Sequence, residues 1–167
     1  MKLTQELLLR IANGSPAVPG WPDDGGEDRS LAQYHPLIKE IKSLPVNVER
    51  EDGWEYGETF FCFLLHGRQS DGSSGGRGLY VAVSRFAPIG IYGEANSPTS
   101  DNAYRVSSPD WIQIAENVET LMKSHEVYMP TIDELKAPIT FPLPQIFSDN
   151  ANLGKSIVFD ILFNDLY

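Results

Sequence analysis

The chain has 167 residues, 41% of them apolar and 11% aromatic, with one cysteine. That suits a single domain over 1–167 with a substantial core, and it excludes an internal disulfide and a disordered polyanion, since only 22% of residues are charged. Twenty-three acids against thirteen bases leave a net charge of −10, which argues against nucleic-acid and anionic-membrane partners and in favour of a basic protein.

The opening run MKLTQELLLRIANG carries Glu6 and Arg10 inside its apolar stretch. It is too short and too charged for a secretory signal, and no run reaches the ~18 apolar residues of a membrane span. A cytoplasmic location is the expectation. Leu3, Leu7, Leu8 and Ile11 lie at helical spacing, with Thr4 as a cap and Asn13-Gly14 as a stop. Residues 14–28 are rich in proline and glycine and read as a flexible loop. Leu31, Tyr34, Ile38 and Ile41 predict a second helix within 30–44. Pro36 has no N–H to donate, so the regular part is expected to begin near it.

Val46–Glu58, VNVEREDGWEYGE, reads as a β-hairpin with five acids (Glu49, Glu51, Asp52, Glu55, Glu58) and one Arg50. A two-residue Asp52-Gly53 turn would put Val46 and Val48 on the face opposite Trp54 and Tyr56. A three-residue Glu51-Asp52-Gly53 loop pairs Val48 with Tyr56, keeps the apolar residues together and sets Glu49 across from Glu55. Like charges facing each other destabilise a sheet, so this crowding favours either a solvated edge or a docking surface.

Thr59–Leu65 and Leu79–Val83 are apolar at nearly every position, the mark of strands covered on both faces. A Gly/Ser-rich loop, 67–78, joins them. Ile89 and Ile91 indicate a further strand, which Pro88 places at an edge or starts late. Tyr104–Val106 is expected to add a short strand. The clearest helix is 109–125, with Ser108 as cap, Pro109 first, and Trp111, Ile114, Ala115, Val118, Leu121 and Met122 as its stripe. Thr131-Ile132-Asp133-Glu134 matches a capping box, and three prolines make 138–144 extended. Residues 156–167 fit a helix or a strand, with Ser156 as a cap tipping the reading to helix. The expected fold is α+β: an antiparallel meander of four or five strands packed with three or four helices.

No catalytic motif stands out. Gly72-Ser73-Ser74-Gly75-Gly76 has G-x-S-x-G spacing, but lacks the strand before and helix after that make a nucleophile elbow. Cys62 lies mid-strand in an apolar run and reads as core. Cys62 and His66 are four strand residues apart, about 13 Å, beyond hydrogen-bond reach. His35, His66 and His125 show no metal-ligand spacing, so neither metal nor cofactor is expected.

In size, charge and lack of catalytic residues the chain is similar to small acidic proteins that bind and block a partner, such as toxin-immunity proteins. The favoured reading is a non-enzymatic protein-interaction domain that uses the 46–58 acids, together with Asp23, Asp24, Glu27 and Asp28, against a basic partner. The alternative is a small-molecule binder or enzyme with a pocket beside the sheet lined by His66, Arg85, Tyr92 and Tyr104.

Overall fold

The computed structural model describes residues 1–22, 29–50, 59–67, 78–143 and 156–163. Among these, four strands form one antiparallel sheet in sequence order: β1 (Val46–Arg50), β2 (Phe60–Gly67), β3 (Leu79–Ser84) and β4 (Gly90–Glu94). Five helices accompany it: α1 (Gln5–Ala12), α2 (Arg29–Ile41), α3 (Pro109–Ser124), α4 (Ile132–Leu135) and α5 (Val158–Phe163). This is the expected α+β meander. No helix among the described residues is long and apolar enough to cross a membrane.

Strand alternation divides the core into two halves. Phe60, Cys62 and Leu64 of β2, with Tyr80, Ala82 and Ile91, face one side, where they meet Leu8 and Ile11 of α1, Leu135 of α4 and Ile161 and Leu162 of α5. Phe61, Phe63 and Leu65, with Leu79, Val81, Val83 and Tyr92, face the other, where they meet Tyr34, Leu37 and Ile41 of α2 and Ile114, Val118 and Met122 of α3. The result is three layers, helix–sheet–helix. At about 1.5–3 kcal/mol for each large apolar side chain buried, the two halves supply the main drive to fold. Cys62 sits in this core, as its sequence context implies.

The helix ends follow local chemistry. Thr4 Oγ1 accepts from the Leu7 N–H at 3.2 Å and caps α1. The capping box of α4 is complete: Thr131 Oγ1 accepts from the Glu134 N–H, and the Glu134 carboxylate accepts from the Thr131 N–H. At α5 the Asp160 carboxylate accepts the Ile157 N–H at 2.8 Å, so Asp160 takes the capping role the sequence reading gave to Ser156.

Two elements differ from expectation. Helix α2 runs unbroken from Arg29 to Ile41 with Pro36 inside it, rather than starting near Pro36. Pro36 and Ala32, whose carbonyl loses its intrahelical partner, both lie on the exposed face, so water can serve that carbonyl. Meanwhile Ser30, Tyr34, Leu37 and Ile41 hold the buried face in place. The Tyr34 hydroxyl, within 2.8 Å of the Ser84 carbonyl and 2.7 Å of the Ala87 carbonyl, fastens the helix to the β3–β4 turn. Tyr104–Val106 is not a strand. Tyr104 takes a left-handed backbone conformation (φ 58°), and this segment lies along the outer side of β4.

The segment reaches β4 closely because Gly93 has no side chain. A Cβ there would fall 2.3 Å from the Asn102 carbonyl oxygen and 2.8 Å from the Tyr80 hydroxyl. Gly93→Ala is expected to lower the unfolding free energy by roughly 1–3 kcal/mol, measured by urea denaturation. Wild-type stability in that variant would show that residues 95–104 do not need this close seat.

Candidate functional site

The two edges of the sheet are treated differently. The β3–β4 turn fixes which backbone groups point where, because the Ser84 N–H donates to the Ile89 carbonyl and the Arg85 N–H to the Thr59 carbonyl. In an antiparallel ladder this direction alternates residue by residue. Gly90, Tyr92 and Glu94 therefore point outward from β4, and one backbone group of each is met: Gly90 N–H donates to Tyr128 O at 3.0 Å, Tyr104 N–H to Tyr92 O at 2.7 Å, and Glu94 N–H to Arg105 O at 2.8 Å. On β1, Asn47 and Glu49 bond to His66 and Leu64 of β2, while Val46, Val48 and Arg50 point outward. The Val46 N–H folds back onto Leu44 O at 2.7 Å, and Arg50 makes further interactions. Val48 has no outward partner among the described residues.

A carboxylate clasp secures the closed edge. Glu94 accepts hydrogen bonds from the Ser107 N–H (2.6 Å), the Ser108 N–H (2.8 Å) and the Ser107 hydroxyl (3.1 Å), and from the Ser108 hydroxyl. Burial acts to raise the Glu94 pKa, but these donors outweigh it and hold the group at about 2. Ser108 thus flanks α3 as expected, yet its hydroxyl serves Glu94 instead of capping the helix.

Of the five acids singled out in the sequence, Glu49 is described. Its side chain is 65% exposed, and its Oε2 lies 3.4 Å from His66 Nε2 on the neighbouring strand. Glu51, Asp52, Glu55 and Glu58, the expected Glu51-Asp52-Gly53 turn and the arm beyond it lie outside the described residues, as do Asp23, Asp24, Glu27 and Asp28. Among the described residues the partner of β1 is β2, so Val48 stands across from Leu65 and Glu49 across from Leu64.

The places where these acid runs join the fold are informative. Residues 51–58 leave from Arg50 and re-enter at Thr59, at the end of the sheet formed by Phe60 and Ser84. Trp21, two residues before the 23–28 run, donates its indole N–H to Arg85 O at 2.8 Å and packs edge-on against Tyr34, at that same end. Arg50 and Arg85 both lie over the Phe61 ring there, 5.2 Å and 5.0 Å from its centroid. The described residues carry twelve acids and ten bases, whereas the rest carry eleven acids and three bases. Most of the net charge therefore belongs to the segments that join this scaffold.

The four pocket candidates do not converge. Tyr92 and Tyr104 meet edge-to-face, with ring centroids 5.3 Å apart. Tyr92 OH donates to Glu119 Oε2 at 2.6 Å and Tyr104 OH to Pro130 O at 2.7 Å. Burial raises the pKa of both hydroxyls, reinforced for Tyr92 by the Glu119 hydrogen bond and for Tyr104 by the neighbouring Tyr92. Tyr128, partly buried and bonded to Glu134, is pushed up to about 12. These tyrosines stay protonated at neutral pH and act as donors, not general bases. His66 lies on the opposite face of the sheet from Tyr92, next to Glu49, and Arg85 lies over Phe61. His125, expected at the end of α3, is that helix's C-cap and sits 3.1 Å from Glu40 of α2. No family model, curated protein or solved structure significantly matches this chain.

Glu94 generates a test of the closed edge. Its pKa is lowered on folding, so the stability it contributes is present above the usual carboxylate value of 4.5 and is lost as pH falls through about 2. Thermal melts between pH 5 and about 2 are expected to show a shallower loss of stability in Glu94→Gln than in the wild type. Parallel curves would mean that the clasp does not form.

Proposed function

We propose that this chain is a non-enzymatic interaction domain that docks a basic partner protein through the acids of 23–28 and 51–58 together with Glu49, in the manner of an immunity-type inhibitor. The observation that carries this reading is the shared anchorage of the two acid-only runs, 23–28 and 51–58, through Trp21, Arg50 and Thr59, on a scaffold whose own charges nearly balance. Negative charge carried in two short runs accelerates encounter with an oppositely charged surface. The exposed Glu49 lies on β1, the strand that leads into the second run. The pocket reading draws less support, because His66, Arg85, Tyr92 and Tyr104 occupy three separate places.

The test is kinetic. With a basic partner recovered by crosslinking, Glu49→Lys and Glu55→Lys are expected to slow association by roughly three- to tenfold at low salt while leaving the fold unchanged. The difference should close near 1 M salt, where the screening length is about 3 Å. Wild-type association rates in both variants at low salt would remove the acidic run as a steering surface.

A further inference from the structure

We propose that Asn13 is a site of spontaneous modification, converting to aspartate or isoaspartate by attack of the Gly14 backbone nitrogen, with the C-terminal cap of α1 as the gate on its rate. The inference does not depend on the docking reading. Asn13 and Gly14 are both exposed, so water reaches them. Gly14 has no side chain to hinder approach to its nitrogen, and it closes the end of α1 with a left-handed φ of 66°, as a glycine readily does. The chemistry needs only water. The Gly14 nitrogen bonds to Asn13 Cγ, the Cγ–Nδ2 bond breaks, and ammonia departs carrying the Gly14 amide proton, which leaves a cyclic imide. Water then opens either imide carbonyl. One opening gives aspartate, and the other gives isoaspartate, with the main chain routed through the side chain.

The folded cap holds this reaction back in two ways. The first is geometric. Asn13 has ψ 9°, which nearly eclipses the Gly14 nitrogen with Asn13's own backbone nitrogen, and the tetrahedral Cα then turns Cβ away from it. The imide ring requires the opposite, with Cβ and the Gly14 nitrogen side by side. The second is hydrogen bonding. Gly14 N–H donates to Ile11 O at 2.8 Å, Ser15 N–H to Arg10 O at 2.9 Å, and Asn13 Nδ2 to Leu9 O at 2.8 Å. Both nitrogens that change partners are thus engaged, and rotation about ψ breaks the Gly14 and Ser15 bonds together. Conversion therefore runs through fraying of the last turn of α1, a local opening of the kind that helix ends undergo. The product closes the cap less well. A carboxylate at position 13 has no N–H to give Leu9 O, and it sets negative charge at the negative end of the helix dipole. Isoaspartate also lengthens the main chain between the residue 13 and residue 14 amides. Because α1 holds Leu8, Ile11 and Ala12 in the core, each conversion loosens one cover of the sheet.

The test compares the full-length folded chain with the same chain unfolded in urea, at one neutral pH and temperature, using mass spectrometry of the peptide that holds position 13. The folded chain is expected to convert at least about tenfold more slowly. That factor should match the slowing of hydrogen exchange at the Gly14 and Ser15 amides, since one opening admits both events. Asn13→Asp, which supplies one product directly, is expected to lower Tm by about 1–4 °C. Equal conversion rates in the folded and unfolded chains would overturn the cap as the gate. No product in the folded chain, after the time that the exchange factor sets as sufficient, would overturn the site. An Asn13→Asp chain that melts with the wild type would overturn the loosening of α1.

Discussion

Phe60–Leu65 and Leu79–Val83 present apolar side chains to both faces of the sheet, so neither face tolerates water and each must be covered. That requirement organises the rest of the molecule. Helices α2 and α3 cover one face and α1, α4 and α5 the other. The extra hydrogen bonds tie these covers to the strand ends they protect: Tyr34 to the β3–β4 turn, Trp21 to Arg85, and Glu94 to the segment leading into α3. An antiparallel sheet with only one buried face would not need both layers. A helix as awkward as α2, with Pro36 in its interior, persists because abandoning it would expose Tyr34, Leu37, Ile41 and the Phe61–Phe63 surface beneath them.

Two-sided burial leaves the strand edges as the exposed backbone of the sheet. Residues 95–108 close one of them. Gly93 allows the approach, Tyr104 makes the left-handed turn, and Glu94 gathers Ser107 and Ser108 onto one carboxylate. Tyr80, Tyr92, Tyr104 and Glu94 lie within the packing that closes this edge, and each has a hydrogen-bond partner there: Asn102, Glu119, the Pro130 carbonyl and the Ser107–Ser108 pair.

Much of this was legible in the sequence, for local reasons. The two central strands announce themselves by apolarity at successive positions, and the caps at Thr4 and Thr131 by residue type and spacing. What was not legible depended on tertiary contact. Pro36 marks a helix start by propensity, and only the burial of Ser30 and Tyr34 ahead of it carries the helix back to Arg29. Tyr104–Val106 has strand composition but ends in a left-handed turn, because its hydrogen bonds go singly to Tyr92 and Glu94 instead of forming a ladder. The pairing of β1 with β2 was not read from the sequence, because it joins residues thirteen (Arg50 and Phe63) or more apart through the apolar run of β2, while the Asp52-Gly53 turn lies outside the described residues. The Glu94 clasp had only a weak trace in sequence, since a lone glutamate thirteen residues before a Ser-Ser pair has no recognised spacing.

Charge and contact act over different ranges, which bears on how the proposed docking works. Exposed acids act across roughly a Debye length, about 8 Å at physiological ionic strength, and influence encounter before any contact forms. Packing and hydrogen bonds act only once the surfaces meet. Steering of this kind raises association rates, whereas affinity differences among related complexes reside mainly in dissociation. In the proposed docking, a partner attracted by the acids alone would arrive quickly and leave quickly, and one that also fits the surface would gain residence time. Discrimination among basic proteins would then fall to short-range fit, since attraction to a chain at −10 is common to all of them.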